Sequence, residues 1–217
     1  MVSKHAMKTI LVLAVGAAVA VTVGFRPAGE RIAVAVRYSI EQGSQLSIQG
    51  TTNVNSFECF SKQAFNQQAV QLAIDPVTKA VSFDRAVLHI KVKELDCDNN
   101  KMNADLCDAL NYERFPNITI KLHDAKLVSG SISSEWSEII VNATLKITDQ
   151  ERRVELRAKG KIVDGGRYRF VANKALKMTD FGVEPPTALM GLIRVRDEIT
   201  INFDLVTKVN VMSGPSF

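Results

Sequence analysis

The residues best able to do chemistry gather in one stretch. Asp96, Asp98, Asp105 and Asp108 crowd the start of the segment NNKMNADLCDALNYERFP. Such a carboxylate group could hold a cation or divide acid and base roles between side chains. The same residues also suit a plainer task. Asp98 or Asn99 can cap a helix, and acidic side chains stabilise its positive N-terminus. The plainer reading is preferred. His89 and His123 each follow an inward apolar residue, Leu88 and Leu122, so alternation turns both outward. No His-x-x-x-His pair, Cys-x-x-Cys pair or Asp-rich loop supports a metal. Neither a Gly-x-Ser-x-Gly elbow nor a glycine-rich phosphate loop is present. The expectation is no catalysis, no metal and no cofactor. Asn117-Ile118-Thr119 and Asn142-Ala143-Thr144 match the glycosylation pattern and are read as chance.

The cysteines are Cys59, Cys97 and Cys107. Asp75-Pro76-Val77-Thr78-Lys79 reads as a turn between two strands. Partners across a hairpin centred there sum to about 154, which sets Cys59 opposite position 95 or so. One bulge would bring Cys97 into register. Cys59–Cys97 is the pairing this geometry favours. Cys97–Cys107, closing a small loop over the helix, stays open as the rival. Cys107 otherwise serves as a small apolar residue on a helix face.

These residues need elements to position them. Leu46 and Ile48 alternate with polar neighbours, as do Val70, Leu72 and Ile74. Leu88, Ile90 and Val92 repeat the pattern, then Ile118, Ile120 and Leu122, then Val154, Leu156 and Ala158. Ile199, Ile201, Phe203 and Leu205 repeat it again. Period two means one face buried and one wet, which suits antiparallel sheets. Asp149-Gln150-Glu151 and Asp164-Gly165-Gly166 mark further turns. Met102, Leu106, Ala109 and Leu110 fall at helical spacing, which predicts one short helix over about 101–111 before Pro116. Many antiparallel strands with one helix make a barrel or a sandwich. The fold class is all-β, and a barrel of about eight strands can enclose a small ligand.

Bulk properties bound the partners. The chain has 217 residues, 46% hydrophobic and 23% charged, which is globular. Its formal charge of +4 comes without a lysine or arginine cluster, so no nucleic acid is expected. Lys4 and Lys8 precede an apolar run from Ile10 to Val23, as in an export signal. The run is short for a membrane span, which needs about 20 residues. Ala18-Val19-Ala20 and Ala33-Val34-Ala35 are cleavage candidates. Residues 1–35 are therefore assigned to a signal peptide or N-terminal anchor plus linker, 36–210 to a single domain, and 211–217 to a tail. The expected location is periplasmic or secreted, where a disulfide is stable.

One segment breaks the alternation. LKMTDFGVEPPTALMG sets Phe181, Val183, Leu189 and Met190 around Pro185-Pro186, between two strands. Prolines lower the entropy lost when such a loop is ordered. Its apolar residues are expected to turn inward, as a lid or a plug.

Three stretches resemble the YceI-like lipid/polyisoprenoid-binding family. They are IQGTTNVNSFECF, then ELDCDNNKMNADLCDALNYERFPNITIKL. The third is ATLKITDQERRVELRAKG with LKMTDFGVEPPTALMGLIRVRDEITINFDL. They run in order over about 44–208 and look most like exported versions of the Bacteroidetes type. The resemblance implies a lipocalin-like extended antiparallel barrel whose cavity takes a long-chain lipid. A histidine common in that family's helix region is absent here. Its glycine-rich loop after Asp-Phe-Gly is replaced by Pro185, Pro186 and Leu189. On this reading Phe57, Leu72, Leu88, Ile90, Ile120, Leu156, Phe170, Phe181, Leu189, Met190 and Phe203 line the ligand space. Apart from the resemblance, Arg152, Arg153, Arg167, Arg169, Arg194 and Arg196 flank turns or strands and are expected mostly on the solvated outer face, where one or two at a barrel mouth could meet an anionic head group. The implied partner is a polyisoprenoid, quinone or fatty-acid-like ligand, carried or sequestered in the cell envelope without catalysis. Membrane proximity through the N-terminal segment and a homodimer stay open. The rivals are a filled barrel serving as an envelope structural or partner-binding module, and a lipid-acting enzyme using Asp98 and Asp105.

Overall fold

The structure is a computed structural model that describes residues 30–188 and 190–212. The apolar run at 10–23, the Ala18-Val19-Ala20 site, Leu189 and the tail from 213 lie outside the described residues. In chain order the strands are β1 (Ile32–Ile40), β2 (Gln45–Thr52), β3 (Ser56–Ser61), β4 (Gln68–Ile74), β5 (Val81–Asp84), β6 (Val87–Lys91) and β7 (Leu95–Asp96). The helix α1 (Asn100–Ala109) follows, then β8 (Asn117–Leu127), β9 (Ser137–Ile147), β10 (Gln150–Asp164), β11 (Arg167–Lys177), β12 (Thr187–Ala188) and β13 (Ile193–Val211). The first strand begins inside the 1–35 segment assigned to leader and linker. Ala33, Val34 and Ala35 are paired with Ala73, Leu72 and Gln71 of β4.

Period-two patterning builds the sheet. Along β10, Leu156, Ala158 and Gly160 are buried while Glu155, Arg157 and Lys159 are exposed. Ile139, Ala143, Leu145 and Ile147 do the same on β9. Tight turns set the registers. Thr148 (φ 54°) sits between β9 and β10, and Gly165 and Gly166 (φ 49° and 84°) between β10 and β11. Two consecutive left-handed residues match the twist of a hairpin, and glycine adopts them without a Cβ clash. The Asp75 carboxylate accepts the N–H groups of Val77 and Thr78 at 2.8 and 3.0 Å, fixing the β4–β5 turn.

The sheet closes into a lipocalin-like barrel. Its ring runs β1-β4-β5-β8-β9-β10-β11-β13 and shuts through the β1–β13 pair. That is a ring of eight strands. The long strand β13 changes partner partway: its C-terminal part pairs β1 and its N-terminal part pairs β2. Likewise β8 pairs β5 at one end and β6 at the other. At the second end the wall therefore runs through β2, β3 and β6–β7. Gln63 seals the seam there. Its side-chain oxygen accepts the Lys91 N–H at 2.7 Å and its amide donates to the His89 carbonyl at 2.9 Å, as a peptide group would.

The cysteine pairing follows from this wall. β3 and β7 pair as Phe60↔Asp96 and Ser61↔Leu95, which sets Cys59 against Cys97, and the two form a disulfide. The single long hairpin expected around Asp75 is not how they meet. β4 and β5 leave for the other end of the barrel, and the chain returns to β3 only at β7. The β4–β5 pairs and the β3–β7 pairs share nearly one midpoint, so Cys59 still meets Cys97.

Interior residues pack in three groups. The largest joins Leu46, Ile48, Ile90, Ile120, Leu145, Phe181 and Ile201 with their neighbours. A second gathers Val36, Val70 and Ala86, and a third Leu127, Ile139 and Ala158.

Candidate functional site

A cavity of about 360 Å³ opens at the barrel end closed by β2 and β3. Ile48 and Phe57 come from those strands, Ile118 and Ile147 from β8 and β9, and Ile193, Val195, Ile199 and Ile201 from β13. The segment after β11 adds Met178, Phe181, Val183 and Pro186. The helix adds Met102, Leu106 and Ala109, Leu110 follows at its C-terminal cap, and the disulfide lies in the wall. Polar lining residues are Thr52, Asn55, Asn99, Lys101, Asp105 and Thr187. Most are exposed, so they mark the solvent side.

Local chemistry holds α1 over the cavity. Asn99 caps it, its side-chain oxygen accepting the Met102 N–H at 3.0 Å. Asn103 reaches back, accepting the Cys97 N–H at 2.8 Å and donating to Asp96 at 3.0 Å. That amide and the Asp98 N–H keep the Asp96 carboxyl below its ordinary range. Past the helix, Lys93 stands 4.3 Å from the Tyr112 ring centre. The helix has no fully buried residue, although Met102 and Leu106 carry its apolar stripe. They stay half-exposed because the surface they face is the cavity.

The proline segment forms the facing wall. Met178–Phe181 make one 3₁₀ turn that ends at Gly182, φ 66°. Asp197 accepts both the backbone N–H and the hydroxyl of Thr179, at 2.9 and 2.7 Å, which lowers its pKa. Thr148 donates its hydroxyl to the Phe181 carbonyl at 2.8 Å, tying the β9–β10 turn to this wall. Phe181 and Val183 are thereby buried at 2% and 3% exposure. Gly50 lets Phe57 lie flat across β2: a Cβ there would overlap the ring.

Of the residues expected to line the ligand space, Phe57 and Phe181 line this cavity. Ile90 and Ile120 face inward but are packed in the main core, with Leu88 and Phe203 against them. Leu72 packs with Val36 and Val70, and Phe170 with Leu127 and Ile139. Leu156 is buried on β10. Met190 corrects the expectation of an inward side chain. It is fully solvent-exposed, because its positive φ of 54° opens a turn that swings it outward. Leu189 lies outside the described residues. The sequence reading missed Met102, Leu106, Ala109 and Leu110 as cavity residues, though their helical spacing was the available signal. Asp98 and Asp108 are exposed, and Asp105 pairs with Lys101 at 3.2 Å on the cavity rim. His89 is exposed and His123 bonds Thr144 at 2.7 Å. Burial raises the pKa of the Cys107 thiol. No metal-holding cluster of His, Cys, Asp or Glu occurs among the described residues. No helix among them is long and apolar enough to cross a membrane.

A closed antiparallel barrel with an apolar cavity at one end defines a lipocalin-like architecture. The chain belongs to the YceI-like domain family, whose sequence model matches residues 29–207. Two solved structures share the fold. One is Burkholderia cenocepacia BcnA, at 20% identity and TM-score 0.57, over 77% of this chain and 99% of that one. The other is a polyisoprenoid binding domain from Saccharophagus degradans, at 14% identity and TM-score 0.58, over 82% of this chain and 99% of that one. No curated protein matches the sequence significantly.

Proposed function

We propose that this protein binds a hydrophobic ligand beneath α1 and carries or sequesters it in the cell envelope without altering it. The observation that carries the reading is the cavity of about 360 Å³, walled by Ile48, Phe57, Leu106, Phe181, Val183 and Ile201. Desolvation supplies the drive. Burying ~300 Å² of apolar ligand is worth roughly 7 kcal/mol before ordering costs. The related Saccharophagus degradans domain, described as polyisoprenoid-binding, supports a hydrophobic ligand class. The basic start at Lys4 and Lys8 and the apolar run from Ile10 to Val23 act as an export leader, and the disulfide fits an oxidising compartment. Cleavage falls before the barrel, because a cut after Ala35 would strip paired residues from β1. Native mass spectrometry after mild purification is expected to show a co-purified lipid. Apo mass from several hosts, together with no saturable uptake of N-phenyl-1-naphthylamine, would overturn the proposal.

A partner-binding module is the second reading, favoured by exposed Val128, Trp136 and Val163 at the opposite barrel end, at 52%, 42% and 45% exposure. It predicts that substituting Trp136 changes association while probe uptake is absent from the start.

A further inference from the structure

We propose that the rim of the cavity mouth docks on a phospholipid bilayer bearing anionic head groups, through the turn between β2 and β3 and the turn that enters β13. This surface is separate from the cavity lining and does not depend on what the cavity holds.

Three apolar side chains stand out in water there. Val54, at the tip of the first turn, is 65% exposed, and Met190 and Leu192 in the second are 106% and 74% exposed. Single exposed apolar residues are ordinary, but these three sit on turns tied to one another. Asn53 donates its backbone N–H to the Arg194 carbonyl at 3.1 Å and its side-chain amide to the Leu192 carbonyl at 2.9 Å. Its side-chain oxygen accepts the Arg194 N–H at 2.9 Å. The Thr52 hydroxyl accepts the N–H groups of Val54 and Asn55 at 3.0 and 2.9 Å, so hydrogen bonds fix the turn that holds Val54 outward. Met190 takes a left-handed φ of 54°, where glycine or asparagine is the usual choice. Neither backbone conformation nor hydration favours methionine there; an apolar contact does. Thr52, Asn55, Thr187, Ile193 and Val195 flank these tips and line the cavity, so the tips stand on its rim.

The charges behind the tips select the occupant. A strand rises about 3.3 Å per residue, so Arg194 and Arg196 stand roughly 7 and 13 Å behind Leu192, both exposed. Apolar groups of interfacial segments seat about 5–10 Å deep, at the boundary of head groups and acyl chains, which sets Arg194 at the phosphates. Its Nε donates to the Gly191 carbonyl at 3.0 Å, holding the guanidinium beside the turn, and the planar fork suits phosphate oxygens. The first acidic residues along the chain lie farther back. Glu58 is four residues past Val54, and Asp197, five past Leu192, is engaged with Thr179. Across the mouth Lys101 and Asp105 pair with each other at 3.2 Å and add no net charge. A protein partner needs about 1,000 Å² of complementary surface, which two protruding turns do not offer. A bilayer encloses a protruding side chain on every side.

The test places a tryptophan and asks whether lipid reaches it. The apolar run at 10–23 can bind vesicles by itself, so the readout is position and not the amount of protein bound. The full chain has one tryptophan, Trp136, at the opposite barrel end. Vesicles of phosphatidylglycerol and phosphatidylcholine with brominated acyl chains should quench and blue-shift Leu192→Trp in a Trp136→Phe background, and leave Trp136 of the unaltered chain unquenched. Val54→Trp in the same background should behave alike, and it decides the matter should the first variant fail to fold. Adding Arg194→Glu and Arg196→Glu should lower the ratio of docked to undocked protein at least about tenfold. Tip tryptophans that stay unquenched, or Trp136 quenched as strongly as they are, overturn the proposal. So does a tip emission that shifts with protein concentration before vesicles are added, which would mean that a second copy covers the turns. Quenching that is equal on pure phosphatidylcholine and indifferent to the charge reversals overturns the anionic head group.

Discussion

Breaking the Cys59–Cys97 bond tests how the cavity wall is held. The cysteines are 38 residues apart, and the segment between them contains β4, β5 and β6. In the chain-entropy account, closing a loop costs the unfolded chain about 2.1 + 1.5R ln n cal/mol/K. With n of 38 that is roughly 4 kcal/mol at 25 °C, an upper figure because unfolded chains retain structure. The Cys59→Ala/Cys97→Ala variant is expected to lose about 2–4 kcal/mol in urea unfolding. For a domain of this size that lowers Tm by about 5–15 °C. The bond also tethers α1, since Cys97 leads into the helix whose apolar stripe faces the cavity. Probe affinity should therefore fall in the variant while the far-ultraviolet spectrum of the sheet persists. Urea curves of oxidised, reduced and variant protein, with probe titrations below each transition, make the comparison. If the curves coincide within about 1 kcal/mol, the bond constrains neither state and the reasoning fails. If stability falls but probe affinity does not, the hydrogen bonds from Asn103 alone position the helix.

Further perturbations separate the other supports of the site. Gly50→Ala drives a Cβ into the Phe57 ring, so it should cost about 1–3 kcal/mol and shift probe affinity; an unchanged pair of values would mean the ring is free to move. Asn99→Ala removes the α1 cap and should cost about 1 kcal/mol in urea unfolding, with Asn99→Asp restoring most of it. Asp75, Asp96, Asp164 and Asp197 all have carboxyl pKa values below the ordinary 3.8, chiefly through hydrogen bonds from Thr78, Asn103, Arg167 and Thr179 respectively. A depressed folded pKa stabilises above the unfolded value and is lost as pH falls through the folded one. Tm should thus hold through the neutral range and drop below about pH 4, and Asp197→Asn should flatten part of that drop; a Tm constant down to pH 2.5 would refute the assignment. Gln63→Leu should open the seam between β3 and β6, raising hydrogen exchange at Lys91 first, because that N–H loses its acceptor.

The sequence is explicit about which side chains face inward and silent about where the interior is empty. Leu88, Ile90 and Ile120 alternate as expected and do point inward, yet they meet a filled core. Parity along a strand fixes a face; cavity position depends on what every facing strand contributes at the same level. The helix could be read more finely. The stripe Met102, Leu106, Ala109 and Leu110 needs an apolar surface to face, and no facing strand was assigned to it. Phe181 and Val183 were legible as inward because prolines and a glycine cap shape their turn. Met190 was not, since a residue in irregular chain has no period, and a left-handed φ reverses the direction its neighbours suggest. The disulfide was legible for a narrower reason. The β3–β7 pairs are centred almost where the β4–β5 turn lies, so the midpoint read from Asp75 to Lys79 served for both pairings.

The cavity lies where the topology forks. At one end the wall passes through β1, β4 and β5, and Val36, Val70 and Leu72 fill the space they enclose. At the other end β13 and β8 exchange those partners for β2 and β6. The wall there is completed by side-chain chemistry, with Gln63 bridging β6 and the disulfide joining β3 to the chain before α1. In place of a further strand, the connection from β7 to β8 is the helix α1. A helix standing over a barrel end presents one narrow apolar stripe, where a strand would insert alternate side chains into the interior. Replacing the second by the first leaves volume unfilled beneath Met102 and Leu106. The space is thus a consequence of using a helix and two side-chain bridges to close a barrel whose strands have changed partners. Its size should respond to residues on α1 and β3, and not to the inward residues of β1 and β4.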